Sequence, residues 1–302
     1  MRKQFCDAMT ARGVDPRLVF LTGDLGFMAL EPLQAALGER FINAGVAEQN
    51  MISVAAALSR TGLEAWAYSI APFCTARPFE QIRNDVALHG LPVKIVGNGG
   101  GYGYGVMGPT HHALEDYGTL LALNGMQACV PAFDEDVAAA VDWTGGAAGP
   151  AYLRLGRGEI PAGYVPPPFA GWRQLAAGNG PVAAVVGPLA GTYLAGVQAM
   201  PVERRPNLWV VSLLPVASET LPEAFLAQLA AANALVVAEE HVARGGFASE
   251  LLLALATRGA VPARFAHLHA GAARTGPYGS QAFLRRQAGL DPDSFLAALA
   301  AA

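Results

Sequence analysis

The sequence predicts an α/β protein of two domains, each a mostly parallel sheet flanked by helices. Three observations carry that expectation. Short continuous apolar runs alternate with helix-like stretches along the chain, the pattern of strands buried on both faces. A Pro- and Gly-rich segment, residues 161–180, interrupts the alternation near mid-chain. The 302 residues are enough for about two units, each with its own core. The domains are therefore expected at 1–160 and 181–302, joined by the 161–180 linker.

Taken in order, Leu18–Thr22 reads as the first strand and runs into Gly23-Asp24-Leu25-Gly26. Phe41-Ile42 leads to a helix near Glu48, in which Met51, Ile52, Val54, Ala55 and Leu58 recur at helical spacing. Ala65–Ser69 is a strand, followed by a helix over 75–88. Pro92–Val96 enters a glycine-rich run, and Met126–Val130 and Ala151–Leu155 complete the first half. Beyond the linker, Val182–Val186, Leu208–Ser212 and Leu235–Ala238 read as strands, with helices over 221–232, 246–257 and 294–301.

Composition narrows the function. Charged residues make up 15% and hydrophobic ones 53%, against roughly 25% charged in an average soluble domain. No apolar run reaches the roughly 18 residues of a membrane span, so a large subunit interface is the expected reason for the low charge. Net charge is −4 with scattered basic residues, which gives no nucleic-acid footprint. Cys6, Cys74 and Cys129 have no paired spacing and read as free thiols of a cytoplasmic protein. The histidines contain no i, i+4 pair with a supporting carboxylate, so no metal site is expected on this chain alone.

Two features bear chemistry. Glu48 stands at the mouth of a largely apolar helix, where it either caps the N-terminus or serves proton transfer. Gly103–Gly108 matches G-x-G-x-x-G, but the turn begins at Gly97 and meets Pro109 before any helix can start. A dinucleotide fold needs a tight strand-to-helix turn there. A better reading is a pliable segment that brings His111 or His112 to a ligand.

Together these segments resemble the transketolase family, in its C-terminal half. Asn43-Ala44-Gly45-Val46-Ala47-Glu48-Gln49-Asn50-Met51 is similar to the family's glutamate segment that grips thiamine diphosphate. Tyr68-Ser69, with Ala76-Arg77-Pro78-Phe79-Glu80 downstream, resembles the aromatic segment and helix beside the pyrimidine ring. Gly108-Pro109-Thr110-His111 is similar to the active-site loop, and Leu153–Gly158 to a segment with a substrate-anchoring arginine. The resemblance implies a pyrimidine-binding domain up to about Arg157, then the transketolase C-terminal domain.

It also implies roles. Glu48 would hydrogen-bond the pyrimidine nitrogen, Phe73 would pack on the ring, and Tyr68 and Asp24 would lie beside the cofactor. His111 would contact donor oxygens or relay a proton, and Arg157, with Arg154 as second choice, would anchor an anion. Asp24 reads equally as a helix N-cap. The implied reaction moves a two-carbon ketol unit from an anionic ketose to an aldehyde.

Two departures matter. The sequence has no Gly-Asp-Gly motif, which the family uses for Mg²⁺ and the diphosphate. The resemblance therefore implies half of a split enzyme, active with a separate N-terminal subunit in an α2β2 assembly. Met107 stands where transketolases place an acidic residue that reads a sugar hydroxyl, so a different donor is expected. Rival readings are the beta subunit of a 2-oxo acid dehydrogenase, a deoxyxylulose-phosphate-synthase-like enzyme, and a non-catalytic regulatory subunit.

Overall fold

The computed structural model describes residues 1–26, 28–271 and 276–302, with the side chain of Ser218 excepted. An N-terminal helix α1 (Arg2–Arg12) precedes β1 (Leu18–Thr22), α2 (Glu31–Leu37), β2 (Phe41–Asn43), α3 (Glu48–Arg60) and β3 (Glu64–Ile70). Short helices α4 (Ala71–Thr75) and α5 (Phe79–Gln81) follow, then β4 (Lys94–Asn98), α6 (Asp116–Leu121), β5 (Gln127–Cys129), α7 (Val137–Gly146) and β6 (Ala151–Leu155). The second half contains β7 (Trp172–Ala176), β8 (Val182–Val186), α8 (Leu189–Gln198), β9 (Asn207–Val211) and β10 (Leu213–Leu214). It continues with α9 (Glu223–Ala232), β11 (Ala234–Glu239), α10 (Phe247–Ala256), β12 (Arg264–His269), α11 (Gln281–Gln287) and α12 (Pro292–Ala301). No helix among the described residues is long and apolar enough to cross a membrane.

The first sheet has the order β10-β5-β6-β4-β3-β1-β2 and the second β12-β11-β8-β9-β7. All neighbours run parallel except β10 against β5 and β7 against β9. The α/β expectation of two mostly parallel sheets is met. Side-chain alternation divides the first sheet's faces. Phe20, Trp66, Tyr68 and Leu153 pack with Phe5 and Met9 of α1 and Val137 of α7. Leu21, Ala67, Ile95 and Tyr152 turn the other way, toward Met51 and Ile52 of α3. That second cluster continues without a break into Trp172, Trp209, Phe225 and Phe247, so one apolar core joins the two sheets.

Three expectations need correction. The 161–180 segment is not only a linker, because β7 lies within it and forms the edge of the second sheet. Arg173 of β7 is buried and pairs with Asp136 at 2.6 Å, tying the segment to the first domain. The helix expected over 75–88 is broken: Pro78, which lacks an N–H and cannot continue a helix, separates α4 from α5. A π-helical turn over Ile82–Val86 follows, and Ser53 donates to Asp85 from α3 beside it. Finally, β10 comes from the second half of the chain yet extends the first sheet, with Leu213 opposite Cys129.

Candidate active site

In a parallel sheet, loops leaving the carboxyl ends of the strands gather on one edge, where ligands bind. Five chemistry-bearing segments lie on that edge here. They follow β1 (Asp24), β2 (Asn43 to Glu48), β3 (Phe73 to Arg77), β4 (Asn98 to His111) and β6 (Arg157).

Glu48 opens α3 and is 4% exposed, a placement the helix dipole favours for a carboxylate. Its Oε2 accepts a hydrogen bond from Nη1 of Arg77 at 2.8 Å. Oε1 makes no hydrogen bond among the described residues. The Arg77 guanidinium lies 4.5 Å from the centre of the Phe73 ring, and His111 meets the same ring edge-on at 5.1 Å. Thr110 Oγ1 sits 2.9 Å from Nδ1 of His111, and Tyr104 borders the imidazole at 6.2 Å between ring centres. Asn98 in turn donates to the Tyr104 hydroxyl at 2.7 Å. Glu48, Arg77, Phe73, His111, Tyr104 and Asn98 thus form one continuous row.

The remaining predicted residues divide. Arg157 is exposed and lines a cavity of about 270 Å³ together with Arg2, Asn98 and Tyr104. The row and this cavity share Asn98 and Tyr104. Asp24 is no helix cap, since Leu30 precedes α2; it accepts from Nδ2 of Asn43, whose Oδ1 accepts from the Gly45 N–H. That pair frames the loop leading to Glu48. Met107 is 55% exposed on a single turn over Gly105–Met107.

Two assignments fail on position. Tyr68 is 1% exposed, stacks on Phe5 at 5.6 Å and faces α1 rather than the cleft. Burial pushes its hydroxyl well above the usual tyrosine range. Arg154 is also buried. Its Nε donates to Asp116 at 2.8 Å, and Nη2 donates to the carbonyls of Ala113 and Glu240. Burial works against its charge, but Asp116, Tyr117 and Tyr152 together outweigh that and raise its pKa. Arg154 is a bolt between the domains, its Nε and Nη2 taken up by Asp116, Ala113 and Glu240.

Of the two histidines, His112 is buried, with its Nε2 3.1 Å from Gly105 O and Tyr102 edge-on at 5.3 Å. His111 alone meets Phe73. The glycine run is packed against neighbours and forms no phosphate cradle. A Cβ on Gly105 would strike the backbone of Gly279 and Gln281 at the start of α11, and one on Gly100 would strike Arg154. The C-terminal half therefore braces the loop that carries His111. Glu240, just past β11, strengthens this contact by accepting from the Tyr102 N–H at 2.9 Å and from Arg285 at 2.6 Å. Burial opposes its charge, and Arg285 with the Tyr102 N–H and Gln281 together hold the carboxyl below its ordinary value.

Sequence reasoning missed Arg77, Arg2, Tyr104 and Asn98. Arg77 lies inside one of the family-like motifs, but its partner is 29 positions away. Arg2 is the first residue of α1, far in sequence from the loop it neighbours.

Residues 1–162 match the family model described as "Transketolase, pyrimidine binding domain". The chain belongs to the transketolase family. It is 32% identical over 165 residues to an apulose-4-phosphate transketolase subunit of Phocaeicola vulgatus, covering 54% of this chain and 53% of that protein. It is 31% identical to the 1-deoxy-D-xylulose-5-phosphate synthase of Thioalkalivibrio sulfidiphilus, over 98% of this chain and 45% of that one. A solved structure described as "Split gene transketolase, inactive beta4 tetramer" superimposes with a TM-score of 0.83 at 27% identity, covering 100% of this chain and 97% of that one. The chain spans about half the length of the curated relatives it matches.

The residues present fit the ring end of thiamine diphosphate. A buried carboxylate with one unbonded oxygen stands beside an aromatic face, which suits a flat ring bearing nitrogen. For the other end, no group of three or more His, Cys, Asp or Glu side chains among the described residues is placed to hold a metal ion.

Proposed function

We propose that this chain is the ring-binding subunit of a two-chain, cytoplasmic thiamine diphosphate-dependent transketolase. A separate N-terminal subunit would hold Mg²⁺ and the diphosphate, and two copies of each would form the α2β2 enzyme. The observation that carries this reading is the unbroken row from Glu48 through Phe73 to His111 at the carboxyl edge of the sheet.

When bound, the cofactor supplies the nucleophilic carbon and the electron sink for moving a ketol unit between carbonyl compounds. Glu48 would hold the proton shared with the ring nitrogen, in a setting dry enough to make that hydrogen bond strong. Phe73 would pack on the ring face. Thr110 engages Nδ1 of His111, and Nε2 would face a substrate oxygen. Arg157 and Arg2, flanking one cavity, would hold an anionic group of the sugar by charge-assisted hydrogen bonds.

Reconstitution tests this. The chain, mixed with a partner that carries Gly-Asp-Gly and the downstream asparagine, should take up thiamine diphosphate in calorimetry and transfer a ketol unit. Glu48→Ala should lower turnover by about 100-fold or more. Turnover surviving that change refutes the proposal.

A second reading has one observation in its favour: the likeness to the deoxyxylulose-phosphate synthase extends over 98% of this chain. Met107, lacking a hydroxyl-reading carboxylate, agrees with it. Consumption of a 2-oxo acid with release of CO₂, in place of a ketose, would decide for that reading.

A further inference from the structure

Arg77 is the group in the cleft that neither the fold nor the proposed reaction accounts for. Its side chain is 44% exposed, while the Glu48 carboxylate it holds is 4% exposed. It touches two things at once: the Oε2 atom of Glu48 at 2.8 Å and the face of Phe73 at 4.5 Å. These are the same two features that the proposed reading gives to the aminopyrimidine ring. A guanidinium is flat, delocalised and edged with N–H donors, and it stacks on aromatic faces while donating to carboxylates. An aminopyrimidine presents a comparable flat face, and its ring nitrogen would meet Glu48 through a shared proton. On the same face of Phe73 and at Oε2 of Glu48 the two would compete.

We propose that Arg77 is a built-in stand-in for the ring, holding Glu48 and Phe73 in place until the cofactor displaces it. The inference rests on the ring-binding reading above. The arrangement answers a physical difficulty of a half-site. A carboxylate this buried is costly without a partner, and the chain has to fold before the ring arrives. Arg77 satisfies Glu48 from the solvent side, so it can swing outward without disturbing the core. His111 meets the same ring edge-on at 5.1 Å.

The expected effect is a competition. An ion pair with one partner exposed and a cation over an aromatic face together oppose ring entry by roughly 5- to 30-fold in affinity. The test uses the full chain and 4-amino-5-hydroxymethyl-2-methylpyrimidine, the ring fragment without thiazolium or diphosphate, titrated by NMR. Arg77→Ala should bind this probe roughly 5- to 30-fold more tightly than the native chain. Arg77→Lys, which keeps the charge but loses the flat donor edge, should fall between them. In the native chain, the Arg77 Nε–Hε signal should shift toward its solvent-exposed position as the probe saturates, a readout independent of turnover. Probe binding that is unchanged or weaker in Arg77→Ala, or absent from both proteins, overturns the proposal. So does an Arg77 signal that stays fixed at saturation. Glu48→Ala separates the underlying reading: if the probe binds that variant as well as the native chain, the ring site itself is misplaced.

Discussion

Replacing Arg154 with Met measures whether this residue holds the domains together or holds substrate. The side chain is 4% exposed and makes three hydrogen bonds, to Asp116 Oδ2 at 2.8 Å, Ala113 O at 2.6 Å and Glu240 O at 3.0 Å. Methionine fills the space of the aliphatic stem, so little cavity remains and the change is chiefly electrostatic. Asp116 is left in the interior with the Tyr152 hydroxyl as its side-chain donor. Breaking a buried pair by removing one partner costs about 3–5 kcal/mol. For a chain of this size that is a fall of roughly 5–8 °C in Tm. The double variant Arg154→Met with Asp116→Asn should recover part of the loss, because the stranded charge is gone. Urea unfolding followed by circular dichroism reads both. A loss below about 1 kcal/mol, with a raised KM for the anionic donor in the reconstituted enzyme, would refute the argument and return Arg154 to substrate binding.

Two further outcomes are expected. Lys94 is buried in β4 with its amine on the carbonyls of Ala147 and Gly149, and burial pushes its pKa down to about 8 from an ordinary 10.5. The unfolded chain therefore binds more protons between those values, so stability should rise with pH from about 8 to about 10.5 by up to about 3 kcal/mol. Lys94→Met should flatten that rise in denaturant midpoints, and an identical pH profile in both proteins would exclude the effect. Gly105→Ala should force the turn carrying Met107 away from α11, at a cost of about 1–3 kcal/mol. It should lower kcat in the reconstituted enzyme through His111; wild-type stability and kcat would show that the contact is slack.

Much of the first sheet was legible because its strands are uniform apolar runs ended by polar or glycine residues. Leu18–Thr22 and Ala151–Leu155, and Val182–Val186 in the second sheet, have the bounds that the pattern predicts. Strand β7 was hidden because it reads Trp-Arg-Gln-Leu-Ala amid prolines, and its inward arginine is satisfied by an aspartate 37 residues away. Helix α1 was missed since its N-cap, Met1, offers no side-chain signal. At the site, Glu48 and His111 stood out as charged or titratable groups in unusual surroundings. Tyr68 was misjudged through strand parity: it shares a face with Trp66 and Phe20, which fixes it in the core. Arg77 was unreadable because its meaning depends on Glu48 and Phe73 meeting in space.

The two residues of β10 set a limit on how this polypeptide can be divided. The family match stops at residue 162, yet the seventh strand of that sheet is Leu213–Leu214, and the Val130 N–H donates to Ser212 O beside it. A fragment ending near 162 would leave one margin of β5 with unpaired amides and carbonyls, a template for sticking to other chains. The smallest piece that can be expressed as a well-behaved unit therefore runs past residue 214, and the boundary drawn from homology is not a place to cut.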